Sequence, residues 1–238
     1  MQIMSRYTFK LVMLFLIPAA SFCQADKSDS VLFRKYGPRF SFDVFRVILD
    51  KVPGLDTART GFEVTADFEI SKAYYLVAEY GQQKLDFSTN LFDYASEGYF
   101  FRAGIDYNFL QKKLPLNQYE MFFGGIRYCF SSYSHAAGNI LIRDNLFGVP
   151  EPIDVGPIDL WASWIEVTGG IRGEIFRNFF IGWTFRGRLM LFQKKDEVMA
   201  PYFIPGFGSG NKRTSIGFNY YVSYKIPLYK KKFEIVHE

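Results

Sequence analysis

The sequence predicts an all-β protein, an eight-stranded antiparallel up-and-down transmembrane β-barrel of outer-membrane type. Three observations support this fold class. Apolar and polar residues alternate with a period of two along most of the chain. Aromatic residues make up 19% of the 238 residues, with 27 Phe and 16 Tyr among them. The amino terminus is typical of a secretory signal peptide. The mean hydropathy of −0.02 is then the average of an apolar face and a charged face.

The alternation predicts eight strands. In 98–109, for example, Tyr99 and Phe101 alternate with Arg102 and Asp106. Successive side chains of a strand point to opposite faces, so this segment has one apolar and one polar face. Most of the predicted strands reach the roughly nine to eleven residues that a tilted strand needs to cross the hydrocarbon layer. The predicted strands are 39–47, 61–70, 75–87, 98–109, 121–132, 161–175, 179–191 and 213–226.

The connections between these strands alternate in length. They are 48–60, 71–74, 88–97, 110–120, 133–160, 176–178 and 192–212. Outer-membrane barrels have short periplasmic turns and longer external loops. The pattern, to which 110–120 is an exception, therefore predicts external loops at the cell surface and both termini in the periplasm.

The amino-terminal segment is predicted to be a signal peptide. Arg6 and Lys10 precede an apolar run at 11–17, and small residues follow. We expect cleavage after Cys23; the alternative is a lipoprotein signal in which Cys23 is acylated. The predicted order is a signal peptide at 1–23, a periplasmic segment at 24–38, the barrel at 39–226 and a periplasmic tail at 227–238.

The composition of the two faces decides which one points outward. A soluble barrel of lipocalin type would have its apolar row inside, and alternation alone does not exclude it. The interior of an eight-stranded barrel is only just wide enough for side chains to fill it. The apolar rows carry a ring on nearly every strand, whereas the polar rows are rich in Gly, Ser and Thr. This difference in volume favours an apolar wall facing lipid, with the lipocalin-like soluble binder as an alternative.

The polar rows then place eight acids and six bases in the lumen. Charges in a narrow interior must pair, because an isolated buried ion costs several kcal/mol. We expect an ion-pair network that fills the lumen, and we favour it over an ion path because eight strands leave no aqueous channel. The lumen residues are Asp43, Glu63, Asp67, Glu69, Glu79, Asp106, Glu166, Glu174, Arg102, Arg127, Arg172, Arg186, Arg188 and Lys225.

The candidate catalytic residues are few. Ser132, Ser134 and His135 are predicted at the external rim of the fifth strand, where barrel enzymes that act on outer-leaflet lipids place a Ser-His site. The alternative is that these small polar residues only end the strand, since no carboxylate lies at a diagnostic spacing. No metal or cofactor site is predicted. The net charge of +4 gathers in no basic stripe, so nucleic acid is not an expected partner.

Two predicted external loops are unexpectedly apolar. An exposed apolar patch usually marks a contact surface. The alternative is that the loops fold over the barrel as a lid. The residues proposed for partner contact are Ile140, Leu146, Phe147, Tyr202, Phe203 and Phe207.

Four motifs carry a resemblance to a known family. They are 35–39 (KYGPR), 61–64 (GFEV), 124–128 (GGIRY) and 226–228 (IPL). With these motifs, residues 37–229 resemble an uncharacterised family of small outer-membrane barrel proteins whose domain has no assigned function. The resemblance implies a fold and a location but no catalytic residues. Unlike many such barrels, the chain continues past its last strand through three lysines to residue 238.

The leading functional hypothesis is a non-enzymatic barrel that serves as a structural or accessory subunit of a larger outer-membrane assembly, such as protein-insertion or secretion machinery. The expected partners are outer-membrane lipid and other barrels or lipoproteins. The second hypothesis is a lipid-modifying enzyme that uses Ser132 or Ser134 with His135. The third is the lipocalin-like binder.

Overall fold

A computed structural model describes residues 31–44, 58–71, 73–90, 92–111, 118–140, 153–194 and 199–234. In these ranges no helix is long and apolar enough to cross a membrane. Twelve strands lie in them: β1 (Val31–Tyr36), β2 (Pro38–Asp43), β3 (Arg59–Glu69), β4 (Tyr74–Ser88), β5 (Asp93–Asn108), β6 (Met121–Ile140), β7 (Ile153–Phe176), β8 (Phe179–Gln193), β9 (Phe203–Ile204), β10 (Gly208–Ser209), β11 (Thr214–Lys225) and β12 (Tyr229–Glu234).

Eight of these strands form a closed antiparallel barrel in the order β11-β2-β3-β4-β5-β6-β7-β8. Neighbours along the barrel are also neighbours along the chain, and β11 closes the ring by pairing with both β2 and β8. The predicted fold class is therefore confirmed. The remaining strands form two small sheets: β9 pairs with β10, and β1 pairs with β12 in a two-stranded ribbon.

The outer wall of the barrel is apolar and the interior is charged. On β5, Phe101 and Ile105 are 49% and 50% exposed, whereas Arg102 and Asp106 are each 1% exposed. The other barrel strands show the same division, with large apolar side chains outside and ionic side chains inside. An outer wall of large apolar side chains has a low free energy only when it faces lipid. The lipocalin-like alternative, which requires apolar residues inside, is wrong.

Four strands extend beyond this apolar wall. Lys84, Glu97, Ser134 and Asp159 lie directly opposite one another on β4, β5, β6 and β7, with their side chains on the outer face. We call these four residues the polar row. The wall formed by β4–β7 therefore continues past the membrane on the side of the barrel away from the β1–β12 ribbon. We call this side the loop end and the ribbon side the terminal end.

Because β4–β7 are longer than predicted, two of the predicted connections are shorter in the structure. β6 continues to Ile140 and β7 begins at Ile153, so much of the predicted loop 133–160 is paired strand. The predicted connection 88–97 shrinks to the four residues between β4 and β5. Outside the membrane the outer face of a strand is polar, so the alternation of apolar residues that identified the strands stops before the pairing does.

The two strands that flank the barrel in the sequence pair with each other at the terminal end. β1 and β12 lie in the segments predicted as a periplasmic lead-in and tail, and they pair in register from Val31 with Glu234 to Tyr36 with Tyr229. The rings of Tyr36 and Tyr229 stack with centroids 5.4 Å apart. The predicted signal peptide at 1–23 lies outside the described residues and stays a prediction.

A charged substitution on the outer wall tests whether the apolar face of the strands points toward lipid. Val167 is 62% exposed in the middle of the apolar surface of β7. We expect Val167→Arg to lower the free energy of unfolding in lipid vesicles by about 2–4 kcal/mol, because the cation enters hydrocarbon. The matched control, Ser134→Arg in the polar row, should cost about 0–1 kcal/mol. Equal small losses in urea titrations of both variants would show that the wall does not face lipid.

Candidate functional site

The candidate site is the charged lumen, and strand geometry positions its side chains. Every second residue of a barrel strand points inward, and the register sets opposite charges side by side. Glu79 on β4, for example, lies directly opposite Arg102 on β5, and Arg127 on β6 lies opposite Glu166 on β7. All four side chains are buried. The sequence pattern thus brings the predicted lumen residues into one interior.

Glu79 is held by three arginines at the centre of the lumen. Its carboxylate accepts hydrogen bonds from Arg102 (Nη1 to Oε2, 2.8 Å), from Arg186 (Nη1 to Oε2, 2.9 Å) and from Arg127. Arg127 also donates to Asp106, with Nη2 3.0 Å from Oδ2. Guanidinium groups suit this role because they donate several hydrogen bonds from a rigid planar fork.

Glu166 forms a second centre that shares two of these arginines. Its carboxylate lies 3.0 Å from Arg102, 3.1 Å from Arg186 and 3.1 Å from Arg188. Glu63 joins the same group through Arg102 (2.8 Å) and Arg186 (3.2 Å). Arg102 and Arg186 therefore bridge all three central glutamates, and the central charges form one connected network.

A third group fills the lumen nearer the terminal end. Asp67 pairs with Arg39 (2.6 Å) and with Arg172 (2.9 Å). Arg39 was not among the predicted lumen residues. It lies on β2 four positions before Asp43, points inward as Ser41 and Asp43 do, and is 2% exposed. The same alternation that identified Asp43 could have found it.

The terminal end of the lumen is closed by a residue from outside the barrel. Arg34 on β1 is 4% exposed, and its Nε lies 2.6 Å from Oε1 of Glu69. Lys225 lies 3.4 Å from the other oxygen of the same carboxylate. Burial is the largest single influence on the pKa of the Arg34 guanidinium and lowers it, but the combined attraction of Glu69, Tyr75 and Tyr119 outweighs burial, and the pKa is raised. Arg34 was missed because it precedes the predicted barrel.

Tyr119 completes this closure. Its ring lies under Arg34 (4.8 Å from the guanidinium carbon to the centroid) and under the Lys225 ammonium (3.7 Å). Its hydroxyl accepts a hydrogen bond of 2.7 Å from the backbone N–H of Lys35. Cations over an aromatic face are attracted by its quadrupole. The ribbon is therefore anchored to the barrel, and its cations are held against a ring.

Arg34 and Arg39 change the charge balance of the lumen. Seven acidic and eight basic side chains are buried among the described residues, and Glu174 is a half-buried eighth acid. The sequence predicted eight acids and six bases. The interior is thus close to neutral, as pairing in a poorly hydrated space requires.

The loop end of the lumen is filled by the β9–β10 hairpin. Phe203, Ile204 and Phe207 are each at most 2% exposed. Phe207 packs edge-on against Trp164, with centroids 5.6 Å apart, and shares a buried cluster with Phe100. The expectation that Phe203 and Phe207 form an exposed contact patch is wrong. Their large apolar surfaces are removed from water inside the barrel.

Hydrogen bonds hold the hairpin in place. Arg102 donates to the Gly206 carbonyl (3.0 Å), and Arg188 donates to the Phe207 carbonyl (3.0 Å). The Gly206 N–H donates to Gln83 (3.0 Å). Gly206 has a φ of +81°, and a Cβ there would lie 2.6 Å from the Phe100 ring. Only glycine fits this turn.

The other predicted contact residues lie elsewhere. Tyr202 is 46% exposed at the loop end and packs against Tyr94 with centroids 5.8 Å apart. Ile140 ends β6 and is half-buried against the cluster around Leu85. Leu146 and Phe147 lie outside the described residues.

The predicted Ser-His site is not assembled. His135 points inward and is 1% exposed, with its ring 6.1 Å from that of Tyr94. Ser132 and Ser134 lie on the same strand at positions of opposite parity, so their side chains point outward. The strand backbone therefore separates either hydroxyl from the imidazole. Among the described residues there is also no group of three or more His, Cys, Asp or Glu that could hold a metal ion.

A closed barrel with an apolar wall and a charged, filled interior defines the class: an integral β-barrel of outer-membrane type. The chain belongs to the family described as "Domain of unknown function (DUF6048)", whose profile matches residues 4–231. This confirms the resemblance based on the four sequence motifs. No curated protein matches the chain.

Two crystal structures of Ail, the attachment invasion locus protein of Yersinia pestis, are similar to the chain. The first is 14% identical, covers 87% of this chain and 100% of that chain, and has a TM-score of 0.38. The second, in complex with the heparin analogue sucrose octasulfate, is 14% identical, covers 85% and 97%, and has a TM-score of 0.37.

Removing one carboxylate tests the lumen network. Glu79→Gln removes the carboxylate that pairs with Arg102, Arg127 and Arg186 together. We expect it to lower the free energy of unfolding by about 3–5 kcal/mol, as for a broken buried ion pair. The control is Asp86→Asn, whose side chain is 67% exposed and lies 3.7 Å from Lys84. It should cost no more than about 1 kcal/mol. Equal urea midpoints for both variants would contradict the network.

Proposed function

We propose that the protein is a non-enzymatic, non-conducting barrel that serves as a structural or accessory subunit of a larger outer-membrane assembly. The filled lumen carries this proposal, because ion pairs and the hairpin occupy the described interior and the predicted Ser-His group is not assembled there. A barrel of this kind acts through its outer surface. The partners we propose are other barrels or lipoproteins in the same membrane.

The proposed orientation places both termini in the periplasm and the loop end at the cell surface. Two connections at the terminal end are short, at residues 70–73 and 177–178. At the loop end, the strands rise above the apolar wall and carry the polar row. Short turns on the periplasmic side and larger structures outside are typical of outer-membrane barrels.

The lipid-facing wall offers a surface for lateral contact. Ala66, Ala78 and Ala103 lie directly opposite one another on β3, β4 and β5. Ala66 and Ala78 line a depression with a volume of about 880 Å³, together with larger side chains such as Phe40 and Tyr80. Small residues allow a neighbouring backbone or side chain to approach closely, which favours association inside a membrane.

The depression favours a protein partner over loosely packed lipid. Apolar surface gains nothing from leaving water inside a bilayer, so association there depends on close van der Waals packing. A row of alanines bordered by rings provides a shaped surface against which a partner's side chain can pack. We therefore propose this depression as the contact with a neighbouring barrel or lipoprotein anchor. An acyl chain is the competing occupant.

Filling the depression tests the proposal. Ala78→Phe should remove the partner from tagged protein purified in mild detergent from its native membrane, because the new ring occupies the contact. The matched control is Gly187→Phe, which adds the same ring to the outer face of β8, where a Cβ meets no atom closer than 4.0 Å. Co-purified protein is measured by mass spectrometry. A monomer without partners in the wild type, or equal losses in both variants, would contradict the proposal.

A further inference from the structure

The β1–β12 ribbon contains an unfavourable pair of charges. Lys35 and Lys230 lie directly opposite each other in its antiparallel register. Like charges at directly opposed positions destabilise a strand pair. An anion bound between the two lysines would remove the repulsion.

A third cation lies beside the two lysines. Arg177 is in the turn between β7 and β8, and together with both lysines it lines a cavity of about 490 Å³. The turn is fixed by a hydrogen bond of 2.8 Å from the Lys225 N–H to the Asn178 carbonyl. The ribbon is fixed by one of 2.9 Å from the Leu228 N–H to the Tyr36 carbonyl. The three cations are therefore attached to anchored backbone.

Acids lie near this cavity, but none lines it. Glu174 interacts electrostatically with Lys35, but it is half-buried and its Oε1 accepts a hydrogen bond of 2.6 Å from the Asn178 N–H. Glu69 is buried between Arg34 and Lys225. The residues that line the cavity include three cations and no acid, so it presents a net positive charge.

The surroundings of the cavity are apolar. Leu228 and Tyr229, which also line it, are 66% and 53% exposed, and Phe176, next to Arg177, is 72% exposed. These side chains continue the lipid-facing wall at the terminal end. Cations directly below an apolar, aromatic surface match a molecule with an anionic headgroup and acyl chains.

We propose that this cavity binds an anionic glycerophospholipid of the leaflet at the terminal end. Its phosphate lies between Lys35, Arg177 and Lys230, and an acyl chain follows Leu228 and Phe176. In the orientation proposed above this is the inner leaflet of the outer membrane. The site is independent of lateral assembly, because it lies on the ribbon and not on the alanine depression.

Native mass spectrometry of the full chain released from nanodiscs tests this site. The nanodiscs contain phosphatidylcholine with a minor fraction of phosphatidylglycerol. We expect Lys35→Gln/Arg177→Gln/Lys230→Gln to lower the amount of bound phosphatidylglycerol by at least about tenfold, since each cation near an anionic lipid contributes to binding. Heat-dependent gel mobility verifies that each variant is folded.

The matched control removes three cations from the loop end, as Lys84→Gln/Lys194→Gln/Lys212→Gln, and should leave the bound lipid unchanged. Equal losses in both triple variants would overturn the proposal, since they would show attraction by net charge alone. Competition by inorganic phosphate at the concentration of the lipid would also overturn it, in favour of a small-anion site. Unchanged bound phosphatidylglycerol in the ribbon variant would overturn it as well, since the three cations would then not bind the lipid.

Discussion

The structure depends on one constraint: ionic side chains inside a narrow barrel must be paired. Seven acids and eight bases are buried among the described residues, and arginine supplies most of the positive charge because one guanidinium can bridge several carboxylates. The lumen side chains are packed so closely that they also restrict which residues the strands can have. At Gly217 a Cβ would lie 2.3 Å from a guanidinium nitrogen of Arg188, so the absence of a side chain on one strand makes room for a cation from its neighbour.

Buried charged groups hold both ends of the lumen closed. Toward the loop end, Arg102 and Arg188 bind carboxylates and also donate to carbonyls of the β9–β10 hairpin. Toward the terminal end, Glu69 binds Arg34 from the ribbon. Hairpin and ribbon are thus each held to the lumen by charged groups, and a change at the central carboxylates is expected to affect the closure at the loop end.

Alternation predicted the faces of the strands, and with them the fold class and most of the lumen residues. It did not predict the upper parts of β6 and β7, because outside the membrane the outer face of a strand is no longer apolar. It also did not predict that Phe203 and Phe207 turn inward, since an apolar loop that plugs a barrel and one that binds a partner have the same composition. Arg34 enters the lumen only through the pairing of β1 with β12, a contact between residues about 200 positions apart in the chain.

The proposal that the protein acts through its surfaces rests on the filled lumen. Conductance across planar lipid bilayers tests it most directly. The refolded barrel should insert without producing a steady current, because paired charges and the hairpin occupy the interior that the described residues form. Stable openings whose conductance rises in proportion to salt concentration would contradict the account, since they require a continuous aqueous path through the barrel.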